Sequence, residues 1–339
     1  MVSVSKPIER VLVVSLGSIG RRHLRNLRSL LPEAELAVLR RPGSAATAEG
    51  ASRVFQDLPS ALAFRPDAAI VASPATEHLA VTRALVEQAI PVLVEKPFAD
   101  RLEGLAGLVA EAETKGLPLF VAYNLRFHPM VQRVRAILSD NGIGRVLSAR
   151  AEVGQYLPDW RPGQSYQQGV SARRDLGGGA LLELSHEIDY VSWLLGRPAR
   201  VFAAGGRLGD LEIDVEDTVS LTLRYGDVAP IVNIHLDFLQ RAVTRQFRIV
   251  GAEGTIAGNM ITGELDLYLA GAGSWTRELL RPADPNQLYL DEISDFFSAV
   301  RGGRAVVLPA GRQGMDVICL VEAARRSMAE RREVEIDYD

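Results

Sequence analysis

The chain has 339 residues, 47% of them hydrophobic and 24% charged, with a formal net charge of -4 at pH 7. That length exceeds one ordinary core, so two domains are expected, and the slight acidity offers no electrostatic footprint for nucleic acid or an anionic membrane surface. Cys319 is the only cysteine, which leaves no disulfide and no cysteine-rich metal site and suits a reducing, cytoplasmic setting.

In chain order, the apolar run Val11-Leu12-Val13-Val14 is too short for a signal-peptide core, and no later run approaches a membrane span, so a soluble intracellular protein is expected. Arg10 to Ser15 reads as a strand, and Leu16-Gly17-Ser18-Ile19-Gly20 turns into a helix with apolar residues at helical spacing. The dinucleotide fingerprint asks for glycine at three places; Ser15 stands at the first. Gly17 lets the backbone approach a pyrophosphate, Gly20 lets helix and strand pack closely, and Ser18 and Ile19 open the helix end that faces the phosphates. The second strand, Glu35 to Leu39, is followed by Arg40-Arg41-Pro42-Gly43-Ser44. Two guanidiniums and a hydroxyl with no carboxylate favour NADP over NAD, because arginine grips the extra phosphate.

Arg53-Val54-Phe55 is a short strand, and Asp57 is a cap for the helix carrying Leu58, Ala61 and Leu62. Pro66 to Ala72 forms a fourth strand ending at Ser73-Pro74, with Thr76 or Ser73 capping a helix from Glu77 to Gln88. That loop lies at a strand's carboxyl end, against a ribose, with His78 lining the cofactor. Pro91 to Val94 is a buried strand that delivers Glu95 and Lys96 to an edge, where Pro97 steers Lys96 away from helical geometry. Lys96 is therefore expected where cofactor and substrate meet. A helix from Arg101 to Lys115 closes on Gly116, and Leu117 to Tyr123 is a sixth strand from which Asn124 and Arg126 leave at the same edge as Lys96. Six strands alternating with helices make a doubly wound parallel sheet, an NAD(P)-binding Rossmann domain over residues 8–125.

From residue 126 to 339 the pattern changes to an α+β domain. After a helix from Pro129 to Leu138, the strands Gly144 to Gln155, Ala199 to Arg207, Thr218 to Tyr225, Val228 to Phe238, Thr244 to Val250 and Leu265 to Leu269 follow as an open, largely antiparallel sheet, and Arg312 to Glu330 is a tail helix. The free face of such a sheet suits a homodimer or homotetramer. Gly177-Gly178-Gly179 starts a helix that something could approach closely. Glu183, His186 and Asp189 then recur every third residue, on adjoining parts of one face. Facing Lys96, they would form an acid/base cluster around an oriented imidazole. One histidine with two carboxylates on one helix is a poor metal set, and no metal is expected. Tyr156, Trp160 and Arg161 sit in an aromatic, polar loop suited to stacking on a carbohydrate-like small molecule.

These motifs together resemble the Gfo/Idh/MocA family of glucose-fructose oxidoreductase, inositol dehydrogenase and rhizopine catabolism proteins, over nearly the full length. The resemblance is carried by Leu16-Gly17-Ser18-Ile19-Gly20, Ser73-Pro74 to His78, Glu95-Lys96-Pro97, Tyr123-Asn124-Leu125-Arg126-Phe127 and the glycine run leading to His186-Glu187-Ile188-Asp189. It implies that Lys96 contacts cofactor and reacting hydroxyl and that His186 joins it in proton transfer. Members often place an aspartate four residues before the histidine; here Leu182 stands there, with Glu183 three before. The implied activity is hydride transfer between a nicotinamide and a hydroxyl or ketone carbon of a sugar, polyol or sugar derivative, and the Asp159 to Gly163 loop is similar to members from bacterial surface-sugar pathways. Glycoside cleavage with a tightly held nicotinamide and a non-catalytic dinucleotide sensor are the alternative readings.

Overall fold

The computed structural model describes residues 7–44, 47–227, 230–303, 305 and 307–339. Packing divides the chain into two compact units, Met1–Asn124 with Asp284–Met315, and Leu125–Ala283 with Asp316–Asp339. The Asp284–Met315 segment, assigned from sequence to the second domain, thus clusters with the first.

The first unit holds β1 (Arg10–Val14), β2 (Glu35–Leu39), β3 (Arg53–Phe55), β4 (Ala68–Val71), β5 (Val92–Glu95) and β6 (Leu119–Ala122), interleaved with α1 (Ser18–Leu30), α2 (Leu58–Ala63), α3 (Ala75–Glu87) and α4 (Leu105–Thr114). The sheet order is β3-β2-β1-β4-β5-β6, every pairing parallel. Val11, Leu12, Val13, Ile70, Leu93 and Val94 are completely buried, as strands covered on both faces require. The turn from β1 into α1 explains its glycines. A Cβ on Gly20 would collide with the Ser15 carbonyl oxygen, whereas one on Gly17 would point into open space. Ser15 itself sits at φ +76°, a left-handed conformation that a side chain disfavours.

Two helix starts differ from expectation. α3 begins at Ala75 behind Pro74, with no side-chain cap; neither Ser73 nor Thr76 serves, because the helix starts before Thr76 and the proline occupies the boundary. α4 begins at Leu105 rather than Arg101 because Gly104 at φ +81° interrupts the chain. Its other end is as read: Gly116 at φ +59° closes it, with the Leu117 N–H donating to Ala112 O. Asp57 caps α2 by accepting the Ser60 N–H (2.8 Å).

The second unit begins with α5 (Pro129–Ser139) and β7 (Val146–Gly154), followed by the short α6 (Ala180–Glu183), α7 (His186–Leu195), β8 (Arg200–Gly206), β9 (Thr218–Arg224), β10 (Ile231–Asp237), β11 (Thr244–Gly251), β12 (Gly254–Asn259), β13 (Glu264–Leu269) and β14 (Ser274–Leu279). The helix α8 (Gln287–Val300) belongs to the first unit, and α9 (Gly311–Glu330) and β15 (Val334–Glu335) end the chain. The second sheet has nine strands in the order β14-β13-β12-β11-β7-β10-β9-β8-β15. Only β7 and β10 pair in parallel. Val228 and Ala229, the expected start of the β10 strand, lie outside the described residues. Val219, Leu221 and Leu223 are buried and Ser220 is exposed, the alternation of a sheet with one covered face. β12 and β14 were not expected. Gly254 and Gly258 both lie inside β12, where a Cβ on Gly258 would collide with the Phe247 ring. No helix among the described residues is long and apolar enough to cross a membrane.

Replacing Ser15 with Gly relieves the left-handed backbone, so S15G should raise unfolding stability by about 1 kcal/mol. Denaturant titration of the two proteins measures the difference.

Candidate active site

All six parallel strands deliver their carboxyl ends to one edge of the first sheet, and the order reverses between β1 and β4, where open α/β sheets receive ligands. A cavity of about 430 Å³ lies there, lined among others by Ser15, Gly17, Arg40, Arg41, Ser44 and Ser73. Ser18 and Ile19 begin α1 behind Gly17, whose N-cap makes no side-chain hydrogen bond and whose first turn holds no acid. The bare helix end, the open space over Gly17 and the adjoining guanidiniums fit a dinucleotide's phosphates. Sequence reading found no carboxylate beside the arginines, but the fold brings two: Asp57 and Glu77 line the same cavity, and Arg41 pairs with Glu77 (2.9 Å).

Further along this edge, β5 ends in Glu95 and the half-buried Lys96, joined to Pro97 by a cis peptide bond. The Lys96 N–H donates to Glu95 Oε2 (3.2 Å). His78 is buried with its ring between two backbone carbonyls, Nδ1 2.9 Å from Pro97 O and Nε2 2.7 Å from Ser73 O. Burial pushes its pKa down, against the opposing pull of those carbonyls. His78 therefore ties the Ser73-Pro74 turn to the Lys96-Pro97 turn. The ring faces protein backbone on both nitrogens instead of lining the cofactor, which corrects the role read from sequence. Asn124, also buried, leaves β6 beside β5 at the same edge.

In the second unit, the expectation that Glu183, His186 and Asp189 lie on adjoining parts of one helical face is not met. The helix breaks at Leu184 and Ser185, so Glu183 ends α6 and His186 starts α7. Glu183 Oε2 accepts from Ser171 Oγ (2.6 Å). His186 is half-buried at the α7 N-terminus. Asp189 is 1% exposed and chelated by Arg126, itself 3% exposed, with nitrogen–oxygen distances from 2.7 to 3.1 Å. Burial raises the Asp189 pKa and the guanidinium opposes the rise. Asp189 and Arg126 thus satisfy each other, away from the catalytic and substrate-contacting roles expected of them. Arg126 also lies over the Trp193 ring, 5.2 Å from its centroid. A second internal pair, Glu187 with Arg245 (2.9 Å), went unread because its members are 58 residues apart.

The glycine run serves the protein's own packing. A Cβ on Gly178 would collide with the carbonyls of Val170 and Ser171, and one on Gly179, at φ +109°, with the Glu216 carboxylate. Glu216 Oε1 accepts the Leu181 N–H (3.1 Å), giving α6 its acidic cap. The aromatic loop encloses a cavity of about 460 Å³ lined by Trp160, Arg161, Tyr166 and Ser171 among others. Trp160 is held by its indole N–H on Gln155 O (3.1 Å) and by edge contact with Phe238. Tyr156 lies apart from that lining, its ring covered by the Arg241 guanidinium 3.5 Å from the centroid.

In the second unit His128 caps α5, its Nδ1 accepting the Met130 N–H (3.1 Å). Burial, with Arg245's charge second, pushes its pKa from 6.5 to about 4. The unfolded chain therefore takes up this proton first as pH falls. Stability contributed by the neutral ring is complete above pH 6.5 and drains away toward pH 4. About 2 kcal/mol should be lost between pH 7 and pH 5 from this residue. His128→Asn keeps a capping acceptor without a titrating ring, and its urea midpoint should fall less over that interval than the parent's.

Residues 9–123 match the family described as "Oxidoreductase family, NAD-binding Rossmann fold", and residues 131–257 match the "GFO/IDH/MocA C-terminal domain". Inositol 2-dehydrogenase 2 of Paenarthrobacter aurescens (strain TC1) is 27% identical over 343 residues, covering 94% of this chain and 96% of its own. UDP-N-acetylglucosamine 3-dehydrogenase of Acidithiobacillus ferrooxidans (strain ATCC 23270 / DSM 14882 / CIP 104768 / NCIMB 8455) is 25% identical over 332 residues, covering 94% and 98%. In fold, the chain superposes on levoglucosan dehydrogenase in complex with NADH at a TM-score of 0.85, with 22% identity and 97% and 99% of the two chains covered. The chain belongs to the Gfo/Idh/MocA oxidoreductase family.

Proposed function

We propose that this enzyme transfers hydride reversibly between a nicotinamide dinucleotide and a carbinol or ketone carbon of a sugar, polyol or sugar derivative. One observation carries the reading: the carboxyl edge that presents Gly17 and the bare start of α1 also presents Lys96, on a turn held by Glu95 and His78. The full-length dehydrogenase relatives, one acting on inositol and one on a UDP-sugar, support the carbohydrate class.

A bound nicotinamide supplies the hydride acceptor or donor. The protein's share is orientation and proton management. In oxidation, Lys96 or His186 takes the hydroxyl proton as the carbon–hydrogen bond breaks; in reduction, one of them returns a proton to the oxygen that gains charge. Trp160 and Arg161, lining the second unit's cavity, offer a stacking face and a charged donor to a sugar ring or its anionic substituent. A screen of sugars, inositols and nucleotide sugars for change at the nicotinamide absorbance band identifies the substrate. With it, Lys96→Ala should lower kcat about 10³-fold while dinucleotide binding, followed by protein fluorescence, shifts less than about threefold. Normal turnover by that variant would remove Lys96 from the chemistry.

For the cofactor we propose NADP(H), with NAD(H) the alternative. Arg40, Arg41 and Ser44 line the cavity beside Gly17. Arg41's pairing with Glu77 is solvent-exposed, at 70% and 42% for the two side chains, and such pairs are weak enough for a phosphate to displace. Arg41→Ala should weaken NADPH at least about tenfold and leave NADH within about threefold; parallel titrations decide between the two forms. The second sheet leaves Phe202, Ile231 and Trp275 between 42% and 51% exposed, which supports a homodimer or homotetramer through that sheet.

A further inference from the structure

Behind the Lys96 turn, three ionisable side chains from distant parts of the chain meet inside the first unit: His23 of α1, Glu95 at the end of β5 and Glu292 of α8. His23 and Glu292 are 0% exposed and Glu95 is 8% exposed. One nitrogen or oxygen from each lies within 4.8 Å of the others. His23 Nε2–H donates to Glu95 Oε1 (2.6 Å); a carboxylate only accepts, so that ring nitrogen carries the proton. The other oxygen, Oε2, accepts the Lys96 N–H. Glu95 therefore has one oxygen on the cofactor-binding helix and one on the lysine.

Glu292 stands against this pair with neither oxygen hydrogen-bonded among the described residues, as is Nδ1 of His23. A charged carboxylate buried in that state beside a second one would be costly. Burial first, and then the charge of Glu95, push the Glu292 pKa well above the usual carboxylate range, so it holds its proton. Tyr289, three residues earlier on α8, sets its ring edge-on to His23 at 6.4 Å and carries the Arg22 guanidinium 4.4 Å from its centroid. Asn286, at the start of α8, exchanges amide hydrogen bonds with Asn26 of α1. α8 is thus fastened to α1 beside the cluster.

We propose that Glu292 and His23 are positioning residues that, through Glu95, set the place of Lys96 relative to the dinucleotide-binding helix. The proposal rests on Lys96 acting in catalysis. Glu292 is the neutral third member, confining the Glu95 carboxylate without competing for charge. A divalent cation would need the same oxygens, but those of Glu95 are both engaged.

The test uses the full-length protein and the substrate found by the screen. Glu292→Met removes the polar group at similar volume. It should lower kcat at least tenfold, change dinucleotide affinity less than threefold and shift the pH optimum of kcat. Glu292→Gln, which keeps a neutral donor and acceptor, should restore kcat to within threefold of the parent. A role confined to stability would lower Tm in both variants and leave kcat per folded molecule unchanged. Should E292M not fold, His23→Phe carries the same expectation. The proposal is overturned if the folded variant turns over normally while K96A is inactive, or if the purified enzyme carries a stoichiometric metal ion whose chelation lowers kcat. An active K96A protein would overturn the catalytic reading of Lys96 as well, and so marks that failure separately.

Discussion

Parallel pairing is the constraint on which the first unit depends. A parallel strand cannot return by a tight turn, so each of the five connections among the six strands is a crossover, and all their carboxyl ends accumulate on one edge. Strands buried on both faces tolerate little polarity, and the interiors of β1, β4 and β5 are accordingly valine, leucine, isoleucine and alanine. Polar and glycine positions are thereby pushed to the residues just past the strands, among them Gly17, Arg40, Ser73, Lys96 and Asn124. Glu95 is the exception. It is still within β5, and a carboxylate there is tolerable only because His23 and the Lys96 amide take its two oxygens.

The second unit solves a different problem, since an open antiparallel sheet has one covered face and few places to anchor a helix. Its covering helix α7 carries Glu187 and Asp189, at 0% and 1% exposure, each meeting an arginine from outside the helix: Arg245 of β11 and Arg126. A buried ion pair is weak evidence for net stability, yet removing either partner strands a charge. Such pairs therefore specify one docking of α7 against alternatives that hydrophobic packing alone would not separate. His128, neutral because buried near Arg245, belongs to the same arrangement. Fixing α7 fixes its first residue, His186.

Much of this was legible in the residues, and the rest for physical reasons was not. The alternation of apolar runs with helical spacing gave the parallel sheet, and Gly20 was correctly read as a close-packing position because helix-to-strand distance is a local property. The glycine run was read as a place that something approaches closely, but a glycine does not record what that something is. Val170, Ser171 and Glu216 come close here, and of these only Glu216 is remote in sequence from the run. The cluster of His23, Glu95 and Glu292 is invisible to spacing altogether, with the first two 72 positions apart and the third in a stretch that the sequence reading assigned to the other domain. Arg126 looked like a site residue because it follows the sixth strand, and Asp189 because of its spacing from His186; in the fold the two are buried against each other.

The break at Leu184 and Ser185 bears on how family-like the chemistry is. An unbroken helix would set an acid and His186 on neighbouring parts of one surface, the arrangement expected of a direct proton relay. Here Glu183 ends its own turn and its carboxylate is taken by Ser171, a residue that also lines the cavity beside Trp160 and Arg161. A carboxylate bonded to a hydroxyl on the cavity wall fixes the shape of that wall. It has less freedom to exchange protons with an imidazole on the next helix. In the proposed function, proton transfer therefore falls to Lys96 or His186, and Glu183 serves the loop proposed to meet the sugar.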